Sequence, residues 1–210
     1  MNLWTQPLGP IETNAYVLSN DQGQGIVIDP GMNPEPLLAH IETLDIVAIL
    51  LTHAHFDHIG GVEDVRKKTG APVYVHDLEA DWLTDPQKNG SARWSEMMDP
   101  IRCQPRDESL ADGQRLSLAG ITLEVRHTPG HSPGSVSFYL PEHGTVIAGD
   151  TLFAGSIGRT DLPGGDHATL LESIRQQLFV LPDETNVYPG HGSETTIGDE
   201  KKFNPFLSGL

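Results

Sequence analysis

The chain has 210 residues, of which 37% are hydrophobic and 20% charged, a balance typical of a globular protein with a sizeable buried core. A net charge of −16 argues against non-specific binding to nucleic acid or to an anionic membrane, because both need basic patches. The single cysteine, Cys103, excludes an intramolecular disulfide. There is no apolar run of membrane-spanning length and no signal-peptide pattern, so we expect a cytoplasmic protein.

The first part of the sequence alternates between patterns typical of strands and of helices. Apolar runs rich in β-branched residues indicate strands, and apolar residues three or four positions apart indicate helices. In chain order we expect strands at 15–18 and 25–28, a helix over 35–44, a strand at 46–51, a helix after residue 61, a strand at 73–75 and a helical turn over 78–83.

The middle of the chain, residues 84–107, is polar and contains three prolines. It fits either a lid over a site or a simple connection. A short helix over 91–98 is expected there, with Trp94, Met97 and Met98 packed as a small apolar cluster.

The second part repeats the alternation of strands and helices. We expect hairpins at 115–118 with 121–125 and at 135–140 with 145–148, a helix over 167–179 and a strand at 185–188. No linker separates the two parts, so residues 1–210 are predicted to form a single domain with the layered arrangement of an α/β protein.

Metal-binding side chains are concentrated directly after the strand predicted at 46–51. His53, His55, Asp57 and His58 fall within six positions. Neutral imidazole and carboxylate are the usual nitrogen and oxygen ligands of zinc and similar ions, and such crowding is costly without a cation. A polar turn that is merely rich in histidine is the alternative, and the compactness of the cluster favours a metal site.

Three further donors, His131, Asp150 and His191, each follow an apolar run that stops at glycine. Ligands in layered α/β proteins gather outside the carboxyl ends of the strands. We therefore expect these three side chains to complete a site for two ions.

The stretch Thr-His-Ala-His-Phe-Asp-His at 52–58, followed in order by those three donors, resembles the metallo-β-lactamase superfamily. Asp29-Pro30-Gly31 resembles its early Asp-x-Gly element, and the likeness runs from about residue 10 to residue 192. It implies a four-layer αβ/βα sandwich. It also implies one metal held by His53, His55 and His131, a second held by Asp57, His58 and His191, and Asp150 as a bridge between both.

The segment 149–161 resembles the short bacterial glyoxalase II-like hydrolases, and it narrows the implied reaction. Broad-spectrum zinc β-lactamases typically carry cysteine at the position of Asp150, whereas a bridging aspartate is typical of glyoxalase II-like thioesterases. The resemblance therefore implies hydrolysis of S-2-hydroxyacyl thiol conjugates such as S-lactoylglutathione. A hydroxide held by two divalent ions would attack, oriented by Asp57 as the catalytic residue. Zinc is the expected metal, with iron and manganese as alternatives.

Arg159 lies where glyoxalase II enzymes carry a basic residue that contacts the carboxylate of the thiol carrier, and a structural arginine is the alternative. Two departures from the glyoxalase II pattern leave the identity of the thiol carrier undetermined. Ser193 stands where those enzymes have tyrosine, and the sequence ends at Leu210 without the helical domain of the long form. Another low-molecular-weight thiol is therefore an alternative to glutathione.

Two other functions compete with thioester hydrolysis. The string Gly158-Arg159-Thr160-Asp161 also occurs in persulfide dioxygenases, which share the fold and use one iron. A non-catalytic binding protein is a third possibility, which the complete set of seven donors argues against. The sequence predicts a small-molecule thioester as partner and does not predict an oligomeric state.

The remaining histidines carry weaker indications. His127 suits either a contact behind a metal ligand or a structural role at a strand edge. His76 ends a strand, where a surface role is favoured over one at the mouth of the site. His40, His143 and His167 are expected to have no role in the site.

Overall fold

The computed structural model describes residues 1–209, and these separate into two compact units. The first comprises residues 1–110 and 117–121, and the second comprises residues 111–116 and those from 122 onward. Each unit contains most of one six-stranded sheet. The single domain expected from the sequence stays a prediction.

The sheet of the first unit has its strands in sequence order. They are β1 (Asn2–Leu8), β2 (Thr13–Ser19), β3 (Gln24–Ile28), β4 (Asp45–Leu50), β5 (Val73–His76) and β6 (Glu108–Leu110). The first three strands pair antiparallel, and β3 to β6 pair parallel. The helices of this unit are α1 (Glu35–His40), α2 (Phe56–Ile59) and α3 (Val62–Thr69).

Helix α3 shows why this sequence folds locally as it does. Val62 and Val65 are buried in the core of the unit, together with apolar residues of β2 to β5. Full burial of one such aliphatic side chain contributes about 1.5–3 kcal/mol. The helix ends where Gly70 adopts a left-handed conformation (φ 72°) and its N–H donates to the Arg66 carbonyl. The predicted helix after residue 61 is confirmed.

The sheet of the second unit has the order β14-β13-β10-β9-β8-β7. Its strands are β7 (Arg115–Leu118), β8 (Ile121–His127), β9 (Val136–Leu140), β10 (Thr145–Gly149), β13 (Asn186–Pro189) and β14 (Thr195–Thr196), and a separate hairpin consists of β11 (Leu152–Phe153) and β12 (Ser156–Ile157). Strands β10 and β13 are parallel, whereas β8–β9 and β9–β10 are antiparallel. The helices are α4 (His167–Ser173), which continues into a π-helical segment (Ile174–Leu178), and α5 (Ile197–Phe203).

Several predicted elements differ in detail. The helix predicted over 35–44 is α-helical only to His40 and then tightens into a 3-10 turn over Ile41–Thr43. The helix predicted over 91–98 is a short 3-10 turn, Ser91–Trp94. The apolar cluster expected there is wrong, since Trp94 is 46% exposed and Met97 is 79% exposed. Within residues 1–209, no helix has both the length and the apolar character needed to cross a bilayer.

Candidate metal centre

Four candidate ligands of the first unit lie on one short segment that follows β4. His53 and His55 precede α2, and Asp57 and His58 lie in its only turn. All four are buried. The His53 ring lies 4.8 Å from the His55 ring and 4.1 Å from the His58 ring, centroid to centroid. The fold therefore packs these donors into one cluster.

Asp29 and Thr52 determine which nitrogen of two imidazoles binds a proton. The Asp29 carboxylate accepts hydrogen bonds from the Thr52 backbone N–H (2.8 Å) and hydroxyl (2.6 Å), and its Oδ2 lies 2.9 Å from His58 Nδ1. Because the Thr52 hydroxyl donates to Asp29, its oxygen accepts from His53 Nδ1, 3.1 Å away. Both imidazoles therefore carry their proton on Nδ1, which leaves the Nε2 lone pair to bind metal.

Other buried groups hold the same segment. The Thr13 hydroxyl donates to Asp57 Oδ2 (2.9 Å), and a carboxylate oxygen of the fully buried Glu79 accepts from the Ala54 N–H (2.6 Å). The carbonyl of Asn89 accepts from the N–H of Phe56, the first residue of α2. Part of the 84–107 connection is thus a support for this segment.

Sequence patterns do not predict the supporting contacts of Thr13, Thr52, Glu79 and Asn89. Asp29 was recognised only as part of a motif, without its contacts. No local pattern in the sequence distinguishes these side chains from other polar residues.

The candidate ligands of the second unit each follow one of three strands that run in the same direction. His131 follows β8, Asp150 follows β10 and His191 follows β13, so all three lie at the same edge of the sheet. The Gly190 N–H donates to the Gly149 carbonyl (2.8 Å), which joins the turns that carry Asp150 and His191. The predicted position at carboxyl ends is confirmed for these residues.

Asp150 lies between two histidines. Its Oδ2 is 3.4 Å from His131 Nε2 and 3.6 Å from His191 Nε2. These separations exceed those of ordinary hydrogen bonds. Two atoms that each bind a tetrahedral ion at about 2.1 Å are about 3.4 Å apart, so the spacing is that of ligands around an ion.

The segment after β12 packs directly on these ligands. The Arg159 carbonyl lies 2.8 Å from His131 Nδ1, so that His131 also presents Nε2. A Cβ on Gly158 would lie 1.9 Å from the Asp150 carbonyl oxygen, so no side chain fits there. This contact gives a physical reason for a glycine in this motif.

The Arg159 side chain, in contrast, points to an exposed partner. Its Nε and NH2 atoms each donate to the Asp161 carboxylate at 2.7 Å, and both side chains are more than half exposed. This hydrogen bonding lowers the pKa of Asp161 to about 2. The expected contact of Arg159 with substrate stays a prediction.

Helix α4 holds the loop that carries His131. The Asp166 N–H donates to the Gly130 carbonyl (2.8 Å), and the Ser173 hydroxyl donates to the Pro129 carbonyl (2.7 Å). Gly130 also lies against the backbone of Leu170, where a Cβ would come within 2.3 Å. The loop is therefore held at Pro129 and at Gly130, the two residues that precede His131.

Two other histidines make local contacts. His127 Nε2 lies 2.9 Å from the Pro133 carbonyl oxygen, within the loop that follows β8. His76 Nδ1 accepts from the Leu78 N–H at the start of a 3-10 turn. Both contacts order the backbone, and the roles considered for these two residues stay predictions.

Comparison with known proteins identifies the family. A sequence profile of the metallo-beta-lactamase superfamily matches residues 8–191. The chain belongs to the metallo-β-lactamase superfamily. Its fold is the metallo-β-lactamase fold, an α/β arrangement of two mixed sheets with helices, so the predicted fold class is confirmed.

Two curated relatives match nearly the whole chain. "Probable metallo-hydrolase YqgX" of Bacillus subtilis is 46% identical and covers 97% of this chain and 96% of its own length. "Hydroxyacylglutathione hydrolase GloC" of Haemophilus influenzae is 36% identical and covers 99% of both. The chain is therefore a metal-dependent hydrolase of this superfamily.

Two solved structures of metallo-β-lactamase fold are similar over nearly the full length. BLEG-1, described as a B3 metallo-beta-lactamase, has a TM-score of 0.95 with 49% identity and covers 99% of this chain and 100% of its own. TTHA1623, solved in a di-iron-bound form, has a TM-score of 0.86 with 44% identity and covers 97% of this chain and 100% of its own.

The residues present fit a pair of metal ions. The candidate ligands are imidazole and carboxylate groups, most of them buried, and these are the usual ligands of divalent transition metals. Three of the imidazoles have Nδ1 beside an oxygen acceptor, an arrangement that directs Nε2 to a metal. These buried clusters of histidine and aspartate indicate a binuclear metal site.

Proposed function

We propose that this protein is a thioesterase of glyoxalase II type. Its substrates would be S-2-hydroxyacyl conjugates such as S-lactoylglutathione or the same acyl groups on another low-molecular-weight thiol. The observation that carries the proposal is the position of Asp150, one oxygen of which lies between the Nε2 atoms of His131 and His191. A carboxylate so placed suits a bridge between two ions, and the similarity to GloC supports the substrate class.

The proposed ligand sets divide the seven donors between two ions that share Asp150. One set is His53, His55 and His131, and the other is Asp57, His58 and His191. Divalent ions bound there would lower the pKa of a bound water and would polarise the carbonyl of the substrate. The metal is proposed to be zinc, with iron supported by the di-iron form of TTHA1623.

The protein's own groups then orient the reaction. Thr13 holds the Asp57 carboxylate in one position through its hydrogen bond to Oδ2, as a residue that orients an attacking water requires. Asp29 and Thr52 hold His58 and His53 with Nε2 as the ligand atom. The departing thiolate is a weak base, so the reaction needs little help from a general acid.

Two other reactions are alternatives. A persulfide dioxygenase would use a single iron, as the motif at 158–161 allows. Hydrolysis of β-lactams is favoured by one observation, the 49% identity and the TM-score of 0.95 with BLEG-1. The shared fold alone does not choose between these reactions.

Four measurements on the purified protein separate the alternatives. These are metal content per chain, hydrolysis of S-lactoylglutathione and of other S-lactoyl thiols, oxygen uptake with glutathione persulfide, and hydrolysis of a chromogenic cephalosporin. We expect two ions per chain and thioester hydrolysis as the fastest reaction. About one iron per chain with persulfide-dependent oxygen uptake and no hydrolysis would overturn the proposal, as would cephalosporin hydrolysis without thioester hydrolysis.

A further inference from the structure

A small hairpin directly follows Asp150. Strands β11 and β12 pair Leu152 with Ile157 and Phe153 with Ser156, and Gly155 at the tip is left-handed (φ 68°). Strand β11 lies against β13, the strand that leads to His191. The hairpin therefore lies next to two of the proposed ligands.

Phe153 lies beside the more accessible of these ligands. Its ring centroid is 6.3 Å from that of His191, with the two rings at 74° in an edge-to-face contact. The His191 side chain is 26% exposed, compared with 3% for His131 and 11% for Asp150. The half-buried ring of Phe153 therefore contacts the most exposed of these three side chains.

A buried carboxylate in α5 holds this hairpin. Glu200 Oε2 accepts hydrogen bonds from the Gly155 N–H (3.0 Å) and from Asn204 Nδ2 (2.7 Å), and Oε1 accepts from the Thr195 hydroxyl (2.6 Å). The same Asn204 amide donates to the Ser156 carbonyl (3.0 Å). Because a buried carboxylate with three donors is costly to disturb, the tip of the hairpin has a defined position.

We propose that Phe153 is a specificity-determining residue that forms an apolar wall for the acyl group of the substrate. The inference rests on the proposed thioesterase function. An aromatic ring supplies a large apolar surface at a small loss of conformational entropy, and it limits the size of the group beside it. The wall favours compact acyl groups such as lactoyl over bulky ones such as mandeloyl, which has the same 2-hydroxyacyl chemistry with a phenyl substituent.

The test compares kcat/KM for S-lactoylglutathione and S-mandeloylglutathione in the wild type and in Phe153→Ala. We expect the ratio of mandeloyl to lactoyl to rise roughly tenfold in the variant, as is usual when a contact in an apolar pocket is removed. The matched control is Phe203→Ala, which removes a ring that is 75% exposed on α5 and leaves the ratio unchanged.

A binding measurement supplies a readout that does not depend on turnover. The thioethers S-methylglutathione and S-benzylglutathione are not hydrolysed, and calorimetry gives their Kd values. Phe153→Ala is expected to shift the Kd ratio towards the benzyl compound. Where Phe153→Ala unfolds, Phe153→Leu keeps an apolar side chain in the hairpin and is expected to give a smaller shift in the same direction.

Three outcomes would overturn the inference, and they are distinguishable. If the Phe153 variants hydrolyse thioesters with an unchanged mandeloyl-to-lactoyl ratio of kcat/KM, Phe153 does not determine acyl specificity and the proposed function still stands. Loss of bound metal in Phe153→Ala with an unchanged ratio in Phe153→Leu makes Phe153 a support for His191. If the wild type hydrolyses no thioester, both the proposed function and the role of Phe153 are contradicted.

Discussion

His58 Nδ1 lies 2.9 Å from Asp29 Oδ2, and both side chains are buried. The same carboxylate accepts two hydrogen bonds from Thr52, whose hydroxyl in turn accepts from His53 Nδ1. One aspartate, itself outside the proposed ligand set, therefore fixes the orientation of two imidazoles. Asp29 also has a left-handed backbone (φ 48°), which is uncommon for a residue other than glycine.

The substitution Asp29→Asn tests this positioning role. The amide cannot accept three hydrogen bonds in the same geometry, so we expect metal affinity to fall roughly 10- to 100-fold, as when such partners of a ligand are removed in other sites. Competition with a chromophoric chelator measures the affinity. Asp21→Asn, in the exposed turn between β2 and β3, is the matched control and should bind metal as the wild type does. Equal metal affinity in the two variants would contradict the role.

The parts of this structure that sequence predicts are those with a local signal. Strands β3 and β4 appear as short apolar runs, and His53 to His58 are adjacent in the chain. Each later donor also follows its own apolar strand. Such signals need no knowledge of which segments meet in space, and for this reason most elements and the positions of the donors relative to them were predicted.

The contacts that hold the donors could not be predicted because they join distant parts of the chain. Thr13 and Asp57 are 44 residues apart, and Ala54 and Glu79 are 25 apart. Helix α2 has four residues, too few to show a helical period. Strand β1 mixes polar and apolar residues and contains a proline, so it lacks the continuous apolar run that marks the other strands.

Asp150→Ala tests the proposed bridge. Removing a carboxylate that both ions share is expected to remove bound metal and activity together. The expected loss in kcat/KM exceeds about a hundredfold, since even partners of a ligand are worth up to that factor. Metal analysis and the thioester assay measure the two effects, and the exposed Asp99→Ala serves as the control. A variant that keeps activity with two ions per chain would show that Asp150 is not the bridge.

Gly158→Ala tests the packing of the motif at 158–161 on the ligands. The added Cβ would lie 1.9 Å from the Asp150 carbonyl oxygen and 3.2 Å from His131 Cβ, so the backbone must move. We expect a loss of about 1–3 kcal/mol in the free energy of unfolding, typical of overpacking, together with weaker metal binding.

Urea unfolding and metal analysis measure both effects of Gly158→Ala. The control is Gly155→Ala, where nothing lies within 4 Å of the added Cβ but φ is 68°. That substitution is expected to cost about 1 kcal/mol through the left-handed backbone alone and to leave the metal content unchanged. Full metal content in Gly158→Ala would mean that the contact with Asp150 is not needed to hold the ligands.

The buried thiol of Cys103 makes the stability of the first unit depend on pH, and this dependence tests whether its core is closed. Burial raises the pKa of its thiol to about 12, and the nearby Glu63 carboxylate adds to the effect. The unfolded chain has the ordinary thiol pKa near 9, so between pH 9 and pH 12 the folded protein keeps a proton that the unfolded chain releases. The contribution of this thiol to the free energy of unfolding is therefore fully present below pH 9 and is lost as the pH rises from 9 towards 12.

From pH 9 to pH 10, the free energy of unfolding of the wild type should fall by about 1 kcal/mol more than that of Cys103→Ala. All other ionisable groups are common to both proteins, so the difference between their urea unfolding curves isolates this thiol. A thiol-labelling reagent at pH 8 gives a second measurement, in which Cys103 should react only as fast as the protein opens. Parallel pH dependences together with rapid labelling of the folded protein would show that Cys103 is accessible and that this part of the core is open.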